Sequence, residues 1–492
     1  MNIENFISTK KSIIIAPAGY GKTHSIAECL EYIQKNELGR HLILTHTHAG
    51  VHSIKEKLKK LNIDSKNYNV ETISSFTQKF VHSYYIGEIP SQDNEKKYYP
   101  FILKEVLPIL NKSIIKEVIK YSYKGMFVDE YQDCTIYQHN VILALSEIIP
   151  THILGDYLQG IFKFGVDRLV DLESKDDMGD FLVNSQELSI PWRWKNANNE
   201  SLGYQLADIR KKLENDETIN LSEYDSIELI PFTDDKDFSR IFSKTFYDAL
   251  NVTSDILVID PNTSSINTRI KLLKRLRIKP YLLEAIDEKV FYKFAKKFDG
   301  ITKENIYKTV LEFFFAVSDK TSVKSWFSKK NVIQKQKYKP YSQKLNRIIS
   351  ELEVKIEKYN LVELFNIYSK LPNLKIYRKD LFYSIRSSIE KSINDNSKVF
   401  DAMIKQRNTI RRSGKKEHKT CIGTTLLTKG LEYDTVIISD VQKFDDKKNF
   451  YVAITRASKK LIILSESPII KFTEKSKKKE IAIQNLQLKL FD

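Results

Sequence analysis

The chain has 492 residues, enough for about three domains of ordinary size, and its 41% hydrophobic and 29% charged residues are the balance of a soluble globular protein, not of a disordered one. Lys and Arg number 79 against 63 Asp and Glu, and the resulting net charge of +16 favours a polyanionic partner, with nucleic acid the first candidate. Cys29, Cys134 and Cys421 are too scattered for a metal site, the charged segment Met1 to Lys11 is no signal peptide, and no run of about 18 apolar residues could span a membrane. Reduced thiols and a cytoplasmic protein are expected.

In chain order, the first third alternates short apolar strands with amphipathic helices. Strands are predicted at 12–15, 41–44, 68–72, 125–129 and 151–154, and helices at 25–34 and 52–61. That alternation predicts a parallel sheet covered on both faces. A segment of about 80–124 interrupts this block. A second α/β block begins near Leu188, with strands at 227–232, 255–259 and 280–283. It breaks off, resumes at Thr420, and adds strands at 435–438 and 461–464. The interruption, about 284–419, carries helical periodicity at 306–317, 345–358 and 381–394.

Ala16-Pro17-Ala18-Gly19-Tyr20-Gly21-Lys22-Thr23 follows an apolar strand and opens a helix. A loop that wraps phosphate needs close backbone approach, which Gly19 and Gly21 permit, and the helix N-terminus faces the anion. Lys22 would reach the β and γ phosphates, and the Thr23 hydroxyl would ligate Mg²⁺. Downstream, Met126 to Asp133 (MFVDEYQD) sets two acids at the end of a buried strand. Asp129 suits the shell of Mg²⁺, and Glu130 suits a base that orients the attacking water. Kinases and GTPases with a phosphate loop usually lack the second acid, so the pair points to an ATPase motor.

These motifs, with others in the same order, resemble superfamily 1 helicases of the UvrD/Rep/PcrA type. The resemblance implies an α/β fold of two RecA-like lobes with parallel sheets, each interrupted by a mostly helical insertion. The first lobe would be 1–187 and the second 188–492. Leu44 to Ala49 (LTHTHA) resembles the first DNA-contacting motif, and Thr72 to Phe76 (TISSF) the next. Thr45, His46, Thr47, Ser75, Phe76, Phe162 and Phe164 are the DNA-side residues this implies. Gly155 to Phe162 (GDYLQGIF) resembles the motif whose glutamine, here Gln159, couples phosphate to DNA. In Pro191 to Trp194 (PWRW), Trp192 would stack on the base and Arg193 would touch the γ-phosphate. In Lys429 to Asp434 (KGLEYD), Glu432 would hold the ribose. Tyr451 to Ala457 (YVAITRA) closely resembles the arginine-finger motif, with Arg456 as the finger.

Departures from the family lie chiefly on the DNA side. His46 stands where an aromatic residue is common, Phe164-Gly165 lacks the usual arginine, and Leu426 replaces a histidine. No glutamine motif precedes the phosphate loop, so NTPs other than ATP stay open. More narrowly, length and reduced insertions resemble the helicase-like subunit of the Gabija anti-phage defence system, which implies an OLD-type nuclease partner with a TOPRIM domain. The expected activity is a DNA-dependent ATPase, a 3′ to 5′ translocase or helicase on single strands, ends or tails. The alternative is a nucleotide- and DNA-sensing subunit that switches a partner nuclease. No nuclease centre is expected in this chain.

Three basic stretches complete the reading. Lysines at 324–344 interleave with Trp326, Tyr338 and Tyr341, which suits nucleic acid or, equally, a solvated or protein-docking face. The segment 407–419 reads as a linker returning to the core, and 475–479 as a solvated tail.

Overall fold

The computed structural model describes residues 2–472, except 93, 163–166, 264, 287 and 414–417. The chain forms two compact units, Met1–Asn262 with Thr428–Asp492, and Thr263–Leu427.

The first unit contains the whole first sheet. Its strands are β1 (Lys11–Ile15), β2 (His41–Thr45), β3 (Tyr68–Thr72), β4 (Gly125–Val128), β5 (Thr151–Gly155) and β6 (Ser185–Glu187), in the order β3-β2-β4-β5-β1-β6. All pairings are parallel. Ile13, Ile14, Leu42 to Leu44 and Met126 to Val128 have no exposed surface. Strands buried on both faces read as continuous apolar runs, which is why these segments were recognisable. The segment between β3 and β4 is helical, with helices Glu95–Leu110 and Ser113–Ser122. Val106, Ile109, Ile115 and Ile119 join the core beside Val141, Ile142 and Leu145.

The remaining strands are β7 (Ile219–Asn220), β8 (Ile227–Pro231), β9 (Ile256–Ile259), β10 (Tyr281–Leu282), β11 (Thr420–Gly423), β12 (Tyr433–Ile438), β13 (Ala457–Ser465) and β14 (Ile469–Ile470). In the first unit, β12 pairs in parallel with β9 and β13, and β13 pairs in parallel with β8. β14 and β7 form a short antiparallel pair. The chain is thus α/β with two parallel sheets and helical interruptions, the architecture of two RecA-like lobes.

The second unit is mainly helical, and within it β10 and β11 pair in parallel. Its core is aromatic: Phe291, Phe294, Phe313, Phe314, Phe365, Tyr368 and Phe382 are buried together. The expectation of a linker from residue 407 is corrected here. Arg407 to Ser413 form the last two turns of the helix Val399–Ser413. Arg407 is 1% exposed, its guanidinium lies 3.5 Å from the Phe291 ring centroid, and it donates to Ser384 Oγ at 2.8 Å. The face of an aromatic ring is an ordinary seat for a guanidinium, so this arginine belongs to the core. Residues 414–417, which include Lys415 and Lys416, and the tail 475–479 lie outside the described residues.

Beneath the first sheet, His152 has no exposed surface, shares a 2.7 Å hydrogen bond with Ser12 Oγ, and packs against Phe6 and Phe127. Burial, with nearby His41 second, pushes its pKa from 6.5 down to about 3. The ring is neutral in the fold, so the unfolded chain takes up the proton first. Its contribution to stability is full above about pH 6.5 and is lost as pH falls toward 3. We expect urea stability to decline across that window by up to ~1.4 kcal/mol per pH unit from this group, and His152→Leu to flatten the decline. An unchanged slope in that variant would assign the titration to other groups.

Candidate active site

The site lies in the first unit, where the C-terminal ends of β1, β4 and β5 meet the segments that bracket β12 and β13. After β1 the chain turns through Ala16 to Gly21 and enters the helix Lys22–Lys35. Gly19 and Gly21 have φ of 74° and 93°, the left-handed region where a side chain is strained. A Cβ on Gly19 would lie 2.7 Å from the Trp194 ring, and one on Gly21 would lie 2.9 Å from Trp192. Both glycines are therefore required by backbone shape and by packing. The N–H groups of Gly19, Gly21, Lys22 and Thr23 meet no protein acceptor among the described residues. Several backbone donors at a helix N-terminus form an anion cradle, so the loop fits a phosphate chain.

Lys22 is 7% exposed and folds back to donate to the carbonyls of Ala16 at 2.8 Å and Pro17 at 3.1 Å. Burial lowers its pKa, while Asp156 and Glu130 oppose that. Thr23 Oγ1 donates to Asp129 Oδ2 at 2.9 Å. Burial, and then the Glu130 charge, lift the Asp129 carboxyl to about 6. A hydroxyl beside a buried carboxylate is the oxygen donor set that suits Mg²⁺, which lowers the charge of a bound phosphate chain. Glu130 sits at φ 56°. Burial would raise its pKa, but Lys429, Lys22, the Gln132 hydrogen bond and Arg456 together bring it below the ordinary value. Its carboxylate is ionised in the site, and Gln132 Nε2 donates to it.

Opposite this set stand two arginines. Arg193 donates to Glu432 Oε2 at 2.7 Å and to the Thr455 carbonyl. The residues expected to touch γ-phosphate and ribose are thus paired with each other. Arg456 is 2% exposed and donates to the carbonyls of Val452 at 2.9 Å and Leu431 at 3.1 Å, and to Gln159 Oε1 at 3.4 Å. Burial, then the neighbouring Arg193, depress its pKa to about 9, so it remains a cation at neutral pH. A buried guanidinium and a partly buried one that repel each other favour an incoming anion. Trp192 is 39% exposed and abuts Gly21, where its ring can stack on a base. Tyr20 is buried and lies edge-on to Trp194.

Sequence reasoning gave no role to four residues that join these parts. Lys429 donates to both Asp133 oxygens and to the Gln159 carbonyl, each at 2.6 Å. Tyr451, Asp156 and Arg210 form a second buried link. Lys429, Tyr451 and Asp156 stood inside quoted motifs. Arg210 had no signal, being one basic residue in the amphipathic helix Glu200–Glu214.

On the side expected to meet DNA, the residues are dispersed. Thr45 is 3% exposed, and Phe76 is 2% exposed, packed at a tilt against Phe80 in the core. The Phe76 ring therefore offers no face to a base. His46 Nε2 lies 3.4 Å from Cys134 Sγ, and burial, then Lys429, lower its pKa to about 4. Thr47 caps the helix His48–Lys60 by accepting the Gly50 N–H, and Ser75 is held by Thr72 at the start of the helix Ile73–Tyr84. The Phe162 ring carries Lys429 Nζ at 4.6 Å. Phe164 lies outside the described residues. A groove of about 330 Å³ beside β3 is lined by His48, Lys55, Ser75 and Lys79, among others. In the second unit, Trp326 has no exposed surface and Lys335 covers its ring at 4.4 Å, so that ring is closed to stacking.

Residues 2–165 match the family model of an AAA domain, and residues 334–465 match that of a viral superfamily 1 RNA helicase core domain. No curated protein matches the chain. The first match holds the phosphate loop and the acidic strand end, and the second holds Glu432 and Arg456. The chain carries superfamily 1 helicase domains. Within that class it has the domains of an enzyme that hydrolyses nucleoside triphosphates.

Gly19→Ala forces both the strained φ and the clash with Trp194. We expect nucleotide affinity to fall at least tenfold, measured by titration with a fluorescent ATP analogue, with thermal unfolding of the rest of the chain little changed. Wild-type affinity in this variant would show that the loop does not take the phosphate.

Proposed function

We propose that this protein couples nucleoside triphosphate hydrolysis to movement along single-stranded DNA, as a superfamily 1 translocase or helicase of 3′ to 5′ polarity. The observation that supports it most is the meeting of Lys22, Asp129, Glu130, Arg193, Gln159 and Arg456 in one cleft, with unpartnered loop N–H groups beside them. The +16 charge suits a polyanionic track.

In this reading the loop amides and Lys22 hold the phosphates, Trp192 stacks on the base, and Thr23 with Asp129 hold Mg²⁺. Glu130 orients the attacking water, because a carboxylate kept ionised by three cations accepts a hydrogen bond from water better than it removes a proton outright. Arg193 exchanges Glu432 for the γ-phosphate, and Arg456 exchanges backbone carbonyls for the same oxygens. Both stabilise charge that spreads over the transferring phosphoryl group. Closure of the cleft ties hydrolysis to displacement.

A second reading has its own support. Phe76 is packed inward and the His46 ring lies against Cys134, which leaves few rings to grip bases. A protein of that kind would bind nucleotide and DNA ends and switch a partner without sustained unwinding. The narrower sequence resemblance gives that partner as a TOPRIM nuclease subunit in phage defence, and copurification of the two chains tests it. Strand displacement by the isolated protein separates the two readings.

With single-stranded DNA present we expect ATP turnover well above the DNA-free rate, and Lys22→Ala to abolish it. DNA-indifferent turnover would support the switch, and no turnover by the wild-type protein would overturn both. Glu130→Gln keeps the shape but weakens the acceptor for water. Turnover should fall by about 10²–10⁴-fold, with nucleotide affinity within a few-fold of wild type, and a variant of normal rate would move the water-orienting role to another residue.

A further inference from the structure

The phosphate loop and the arginine finger are joined by one side chain. Tyr451 is 1% exposed and stands in the middle of the helix Lys447–Ile454, five residues before Arg456. Its hydroxyl accepts the Ala18 N–H at 3.0 Å and donates to Asp156 Oδ2 at 3.2 Å. Ala18 lies in the loop between β1 and the helix Lys22–Lys35, yet its N–H is separate from those of Gly19, Gly21, Lys22 and Thr23 that face no protein acceptor among the described residues. Tyr451 therefore holds the loop without taking a donor that phosphate needs.

Asp156 is itself fixed. It has no exposed surface, and Arg210 NH1 donates to Oδ1 at 2.8 Å while Gln159 Nε2 donates to Oδ2 at 2.8 Å. Gln159 in turn accepts from Arg456 at 3.4 Å. The Arg210 guanidinium lies 5.8 Å from the Tyr451 ring centroid. A closed path thus runs from Ala18 through Tyr451, Asp156 and Gln159 to Arg456, and the backbone of one short helix closes it. Every member is buried, so water cannot substitute for a lost bond at small cost.

We infer that Tyr451, held by the Asp156–Arg210 pair, is a positioning residue that fixes the distance between the phosphate loop and Arg456. The inference rests on the hydrolytic reading of the site. A residue with this role acts on the transition state through Arg456, because a finger misplaced by a fraction of an ångström still allows nucleotide to bind. A purely structural residue would instead change folding, or affect binding and turnover alike.

Tyr451→Phe removes the hydroxyl and keeps the ring in the core. We measure steady-state ATP hydrolysis with saturating single-stranded DNA, fluorescent-nucleotide affinity and thermal unfolding. The expected result is a kcat at least tenfold lower, with KM and nucleotide affinity within about threefold of wild type and a thermal midpoint shifted by less than about 4 °C. Arg210→Lys keeps the charge beside Asp156 and should retain more of the rate than Arg210→Met. Wild-type kcat in Tyr451→Phe overturns the inference, as does a loss of nucleotide affinity that matches the loss of kcat. Wild-type protein that hydrolyses no triphosphate under these conditions overturns the hydrolytic reading itself, and the two failures are told apart by that control.

Discussion

The site is organised by buried positive charge that must find a partner. Lys22, Arg193, Arg456 and Lys429 converge from both sides of one cleft, and a buried cation without an acceptor is costly. Each is met by the protein itself: Lys22 by loop carbonyls, Arg193 by Glu432, Arg456 by the carbonyls of Val452 and Leu431, Lys429 by Asp133. These acceptors differ in kind. The Lys429–Asp133 pair is nearly sealed, with side chains 6% and 3% exposed, whereas Glu432 is half-exposed. A phosphate chain carrying several negative charges can displace carbonyls and an exposed carboxylate, and it competes poorly with the sealed pair. The cations therefore divide into those set to change partners and one set to hold the parts together.

The same division explains what could be read in the sequence. The phosphate loop and the acidic strand end were legible because each packs its chemistry into eight consecutive residues. The strands of the first sheet were legible because burial on both faces makes them apolar throughout. Arg193 and Arg456 were legible only through their surrounding motifs, since an arginine alone is more often a surface residue. Arg210 was illegible: its partner Asp156 is 54 residues away, and nothing in an amphipathic helix marks which cation turns inward. Arg407 was misread for a related reason. A cluster of basic residues suggests a solvated linker, and the Phe291 ring that receives Arg407 lies on another helix.

On the opposite face the sequence motifs and the packing point in different directions. Phe76 and Thr45 occupy motif positions, yet the helix Ile73–Tyr84 and β2 bury them. Local patterns specify which residue stands where in a motif, while the direction of its side chain depends on the core beneath. Trp326 shows the same effect in the second unit, where its Nε1–H donates to the Pro372 carbonyl at 3.2 Å and its ring is covered by the Lys335 ammonium.

The chain leaves the first unit at Asn262 and returns at Thr428. During synthesis, at about 5–20 residues per second, β9 waits roughly 10–30 s before β12, its parallel neighbour, is made. Glu432, Tyr451 and Arg456 all arrive after that delay. A ribosome-bound chain therefore carries the phosphate loop and Arg193 before Glu432 and Arg456 exist, so the anion cradle is complete before its second guanidinium arrives.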